Sequence, residues 1–120
     1  MNITELEDNQ VFVFGSNEAG RHGKGAALQA KKWGAKYGKG TGLHGKTYAI
    51  PTKDKDLKVL SIGKIKKYVD EFIAFATANP TLTFLVTKIG CGLAGYSTED
   101  IAPLFSDVPA NIILPNDFKK

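Results

Sequence analysis

The chain has little of several things, and each scarcity excludes something. It has one cysteine, Cys91, so an internal disulfide is impossible and a reducing compartment is expected. Cys91, His22 and His44 fall at no ligand spacing, so no metal centre and no cofactor is expected. No apolar run reaches membrane length and no leader pattern opens the chain, so a cytoplasmic protein without membrane contact is expected. Arginine is almost absent: Arg21 is the only one among 16 Lys and Arg. The lysines are spread along the chain, which reads as a solvated surface more than a nucleic-acid stripe. The net charge of +4 still suits an anionic partner. The common phosphate motifs are also missing. A P-loop needs Gly-Lys-Ser/Thr after its spacer, and Gly20 is followed by Arg21. A dinucleotide fingerprint needs a third glycine, and Gly23-Lys24-Gly25 is followed by Ala26, Ala27 and Leu28.

What the chain does have is glycine between strands and helices. The apolar run Val11–Phe14 leads into Gly15-Ser16-Asn17-Glu18-Ala19-Gly20-Arg21-His22-Gly23-Lys24-Gly25. The pattern Ala26, Ala30, Trp33, Tyr37 leads out of it at helical spacing. Glycines at such a junction admit positive φ and close approach of a ligand. The N–H groups that open a helix favour anions. The stretch therefore reads as a strand–loop–helix anion cradle, or else as a long turn-rich connection. Asn17 either meets a ligand or closes its own turn. Arg21 can fork onto a phosphate. His22 can act as acid or base near neutral pH, or stand as a solvated loop side chain. Cys91 has no adjacent base in sequence and reads as a small buried residue.

Taken in order, the 120 residues predict one domain, 1–120. A strand at Val11–Phe14 is followed by a helix from Lys24 to Lys36, weakened by Gly34. Trp33 and Tyr37 are expected in the core. Four glycines in Tyr37–Lys46 predict a mobile loop. A second strand, Thr47–Ile50, is stopped by Pro51. Ser61 is a candidate N-cap for a helix whose stripe Ile65, Val69, Phe72, Ile73, Ala76 ends before Asn79-Pro80. Thr83–Ile89 is a third strand. Ser97 or Thr98 caps a short helix with Glu99 and Asp100 in its first turn, and Asn111–Leu114 is a fourth strand. The order βαβαβαβ predicts parallel strands, with ligand loops outside their carboxyl ends. The glycine-rich and turn-rich segments all follow strands, so they converge on one site for a ligand with more than one anionic or sugar group.

Three segments carry a family resemblance. Gly15–Ala27, Thr47–Thr52 and Ile89–Tyr96 resemble, in order and spacing, the ligand loops of macro domains. The resemblance implies a three-layer α/β/α sandwich with a mostly parallel or mixed central sheet that binds ADP-ribose or a related nucleotide, free or on an ADP-ribosylated macromolecule. Its implied ligand residues are Gly15, Ser16, Asn17, Arg21, Gly23, Lys24, Gly25, Pro51, Thr52, Gly90, Cys91, Gly92, Leu93, Ala94, Gly95 and Tyr96. Asn17 matches the asparagine near the distal ribose, and Gly90–Tyr96 the loop around the diphosphate. The adenine-contacting Asp of the family has no clear counterpart. Ala94 stands where a glycohydrolase branch has an acidic residue. Asn17 and His22 are the catalytic candidates if the protein is an ADP-ribosyl hydrolase. The alternatives to simple ADP-ribose binding are that hydrolase, removal of phosphate from an ADP-ribose derivative, and a lysine-rich nucleic-acid-binding module.

Overall fold

The computed structural model describes residues 3–92 and 94–119. Its centre is the apolar run read first in the sequence, now the strand β1, Gln10–Asn17. Val11, Phe12, Val13 and Phe14 are all buried, because successive side chains leave opposite faces of the strand and both faces are covered. Val11 and Val13 join the larger core cluster, whereas Phe12 and Phe14 join the smaller one.

The helix α1, Gly25–Ala30, covers the second face with Ala27 and Ala30, helped by Trp33, Ile3 and Leu6. It is shorter than the expected Lys24–Lys36. A 3₁₀ turn takes over at Lys31–Trp33, and Gly34 ends it at φ 113°, a conformation that stops a helix. Tyr37, expected in the core, is instead 68% exposed.

The supposed mobile loop after α1 holds a strand, β2, Gly42–His44, antiparallel to β3, Thr47–Lys53. Gly45, at φ 59°, is the first residue of the two-residue turn between them. Such hairpin turns demand positive φ at that position. Pro51 does not stop β3, which runs on to Lys53 opposite Asn17 of β1. Pairing with β2 ends at Ala49, so Pro51 lies where one edge of β3 has no strand partner.

The long helix α2, Ile62–Ala78, starts where the sequence reads it. The Ser61 hydroxyl accepts from the Lys64 N–H at 3.2 Å. Ile65, Val69, Phe72 and Ala76 are its buried stripe, each larger side chain contributing about 1.5–3 kcal/mol. Phe72 is the hub, with ring centres 5.0 Å from Tyr48 and 5.4 Å from Phe84. The strand β4, Thr83–Val86, pairs parallel with β1 on the side away from β3. The helix α3, Thr98–Ile101, is fixed by a capping box between Ser97 and Asp100. A short β5, Ile112–Ile113, then pairs parallel with β4. The sheet order is β2-β3-β1-β4-β5, mixed only through β2, with helices against both faces. No helix among the described residues is long and apolar enough to cross a membrane.

Candidate functional site

The carboxyl ends of β3, β1 and β4 lie side by side, and the segments that leave them enclose a cavity of about 760 Å³. Its wall takes Gly15, Ser16, Asn17, Arg21, Gly23, Lys24 and Gly25 from the first segment. Thr52, Lys53 and Leu57 come from the second, and Thr87 through Gly92 with Ala94 from the third. The convergence expected from the order of the strands is therefore present.

Not every expected residue reaches it. Pro51, Gly95 and Tyr96 are not on the wall. Tyr96 instead spends its hydroxyl on the Leu60 carbonyl at 2.6 Å, tying its loop to the segment before α2. Leu93 lies outside the described residues. His22 is also absent from the wall, being only 1% exposed with its ring edge-on to Phe14. Its Nε2 lies 3.1 Å from the Lys39 carbonyl, so that nitrogen carries the proton. Nδ1 has no partner among the described residues. The geometry makes His22 a clasp between the first loop and the segment before β2, buried behind the wall that its neighbours Arg21 and Gly23 line. Glu18, the carboxylate of the first loop, is not on the wall: it accepts from the Tyr68 hydroxyl and lies 3.9 Å from Lys64 Nζ.

The chemistry of the wall is cationic. Arg21, Lys24, Lys53 and Lys88 all line it, and no Asp or Glu does among the described residues. Lys88 is shared, with its Nζ 3.0 Å from the Asp117 carboxylate. That hydrogen-bonded ion pair holds the ammonium above its usual range. The hydroxyls on the wall are committed to backbone. Ser16 donates to the Gly40 carbonyl, Thr52 to the Ser16 carbonyl at 3.3 Å, and Thr87 to the Val13 carbonyl at 2.8 Å. Cations, backbone and part of the Asn17 amide are left to meet a ligand. Burial pushes the Cys91 thiol above its ordinary value despite nearby Lys88, so the neutral thiol prevails at neutral pH. No three His, Cys, Asp or Glu side chains gather to hold a metal ion among the described residues.

The glycines divide into two sorts. A Cβ at Gly23, Gly25 or Gly92 would meet no atom of the described residues within 4 Å apart from its chain neighbours, so these positions leave room for something else. A Cβ at Gly40 would overlap the Asn17 carbonyl oxygen, and one at Gly20 the backbone at Gly38. Those two let the first loop and the segment before β2 touch, and the Gly38 N–H donates to the Gly20 carbonyl at 2.9 Å.

The candidate residues read from the sequence left out Ala26, Ala27, Lys53, Leu57, Thr87, Lys88 and Ile89 on the wall. Lys53 and Lys88 continue the ends of β3 and β4, a position that itself was the available signal. Leu57 had none. It sits at φ 63°, the only non-glycine residue with positive φ among those described, a strain of order 1 kcal/mol or more.

No protein-family model matches the chain, and no curated protein matches it. Among solved structures, a protein of unknown function from Bacteroides thetaiotaomicron is similar, with a TM-score of 0.59 at 18% identity. The match covers 92% of this chain and 88% of that one, and what the two share is the fold.

Proposed function

We propose that the cleft binds ADP-ribose or a closely related ADP-ribosyl nucleotide. The observation that carries this reading is the wall itself: three separate strand-end segments, four cations and no carboxylate among its described residues. A diphosphate needs cations and backbone N–H groups close by, and a carboxylate would repel it. The volume of about 760 Å³ falls in the range of small-molecule sites. The macro-domain resemblance of the same three segments names the nucleotide.

Binding is favoured over hydrolysis. Cleaving an ADP-ribosyl bond needs a base for water and stabilisation of a cationic ribose. The described wall has no carboxylate, His22 is turned into the fold, and Cys91 is held as a thiol. The partner of such a reader is the free nucleotide or an ADP-ribosylated macromolecule. The lone thiol suits a reducing, cytoplasmic setting.

Calorimetry with ADP-ribose, AMP and a short oligonucleotide tests the reading. ADP-ribose is expected to bind more tightly than AMP, which offers one phosphate and no distal ribose. Equal affinity for both overturns the diphosphate assignment. Tight, strongly salt-dependent oligonucleotide binding without ADP-ribose binding would instead make the protein a nucleic-acid module.

A further inference from the structure

The lysines are spread along the chain, but the carboxylates that would balance them are not. Residues 19–53 hold eight of the 16 Lys and Arg and none of the 12 Asp and Glu. That stretch supplies α1, the 3₁₀ turn, β2 and β3, so its charge lies over the smaller core and along the β2 edge. The helices α2 and α3, which carry Asp70, Glu71, Glu99 and Asp100, pack on the larger core instead. Two of the eight cations are engaged. Lys32 and Lys46 direct their ammonium groups at the Thr4 and Leu6 carbonyls, each 3.4 Å away, in the segment that holds Glu5 and Glu7.

Three of the others gather where residues 36–39 fold onto the first loop. The Lys39 N–H donates to the Lys36 carbonyl at 3.0 Å. Gly38 sits at φ 87°, the left-handed value that the third position of a type II turn takes. Gly20 and His22 grip this turn from either side of Arg21, through the Gly38 N–H and the Lys39 carbonyl. Arg21, Lys36 and Lys39 are therefore neighbours, all exposed, and none of them forms an ion pair among the described residues. Glu18, the carboxylate nearest in sequence, is turned to Tyr68 and Lys64 of α2. Tyr37 stands in the second position of the turn, 68% exposed, on backbone that is pinned at both ends.

Unpaired cations held together repel one another, and an anionic partner relieves the repulsion. A nucleotide in the cleft does not serve, because Lys36, Tyr37 and Lys39 are not on its wall. The ring between the lysines narrows the class of partner. An acidic protein segment would use the charges and leave a flat ring idle. A nucleic-acid strand uses both, its phosphates on the cations and a base on the ring. A duplex hides its base faces, so the strand is single. We propose that the Lys36–Lys39 turn, with Arg21 beside it, is a docking surface for single-stranded nucleic acid, Tyr37 stacking on a base and the three cations holding phosphates. This surface lies outside the cleft wall except at Arg21, and it stands without the nucleotide reading above.

Fluorescence anisotropy with a labelled ten-nucleotide oligothymidylate tests it, at several salt concentrations and with each variant's melting temperature measured beside it. Wild type is expected to bind with a slope of log affinity against log salt of about −2, near 0.7 for each of three cations. Lys36→Ala combined with Lys39→Ala is expected to flatten that slope by about 1.4. Tyr37→Ala is expected to lose about tenfold at every salt concentration, the value of one stacked base, and Tyr37→Phe to lose little. Lys66→Ala combined with Lys67→Ala, on α2, is expected to bind as wild type does. No binding by wild type, or equal losses in the α2 variant and the turn variant, overturns the proposal. So does full affinity in Tyr37→Ala, or displacement of the strand by polyglutamate of the same charge, since the surface would then take acidic protein. Binding that follows the turn in a protein indifferent to ADP-ribose upholds the proposal while the nucleotide reading falls. A protein that binds ADP-ribose and no strand does the reverse.

Discussion

Asn17 and Arg21 hold each other by two hydrogen bonds: Asn17 Nδ2 donates to the Arg21 carbonyl and the Arg21 N–H donates to Asn17 Oδ1, both at 2.9 Å. The side-chain amide thus acts as an extra peptide group and closes residues 17–21 into a fixed turn. Both readings of Asn17 meet here, since the residue that closes the turn also lines the cleft. One N–H and one lone pair of the amide remain for a ligand.

Asn17→Asp separates these roles. The acceptor survives, but the donor is replaced by an oxygen facing the Arg21 carbonyl. Stability is expected to drop by about 1–3 kcal/mol, the cost of an unsatisfied partner. ADP-ribose affinity is expected to fall at least tenfold, because the turn loosens and a negative charge enters a cationic cleft. Thermal denaturation and calorimetry on the same preparation check both. Undiminished affinity would show that the turn does not shape the site.

The two sorts of glycine predict opposite outcomes. The new Cβ of Gly92→Val meets no atom of the described residues beyond its chain neighbours, so the fold and its melting temperature are expected to hold while ADP-ribose binding is lost. Gly40→Ala drives a methyl group into the Asn17 carbonyl, at an expected cost of about 3 kcal/mol. Chemical denaturation midpoints distinguish them. A stable Gly92→Val that binds normally would remove that segment from the site.

Two tyrosines set an alkaline limit. Burial, then the Glu71 carboxylate, pushes Tyr48 up to about 12. Desolvation, then the hydrogen bond to Glu18, pushes Tyr68 up to about 12 as well. Each phenol is held protonated more tightly in the folded chain than in the unfolded one, where it titrates near 10. Their contribution is therefore fully present below pH 10 and is lost between about 10 and 12. Unfolding free energy measured across that window is expected to fall, and to fall less steeply in Tyr68→Phe. An identical slope in the variant would show that Tyr68 does not titrate in the fold.

What the sequence disclosed was whatever repeats along one dimension. Val11–Phe14 shows as an unbroken apolar run and the stripe from Ile65 to Ala76 as a helical period, and the alternation of strands and helices along the chain follows from such signals. The site was legible in outline because its segments each follow a strand. What stayed hidden depends on contacts between distant positions. Gly42–His44 reads as loop because glycine masks the strand, and only the turn at Gly45 pairs it with Thr47–Ala49. His22 looks free until the Lys39 segment folds over it. The positive φ of Leu57 follows from closure of the Asp54–Lys58 turn, which residue type alone argues against.

Lys88 provides a further test of where the anion sits. It lines the main cleft and also a smaller cavity of about 230 Å³ whose wall includes Asp117. Its side chain is 55% exposed and that of Asp117 51%, so their ion pair adds little stability. The pair instead competes with a ligand: an ammonium bound to a carboxylate has less field to offer a phosphate. Asp117→Asn removes the competitor and leaves the lysine. Unfolding free energy is expected to change by less than about 0.5 kcal/mol. ADP-ribose is expected to bind a few-fold more tightly, with a steeper dependence on salt because one more unneutralised charge takes part. Lys88→Ala is expected to weaken binding, and Asp117→Asn added to Lys88→Ala is expected to restore nothing. That non-additivity is the decisive quantity, since it isolates the lysine as the route by which Asp117 acts. A gain from Asp117→Asn that persists without Lys88 would mean that Asp117 repels the ligand directly. No gain at all would place the phosphates beyond the reach of Lys88, towards Arg21 and Lys24 in the segment after β1.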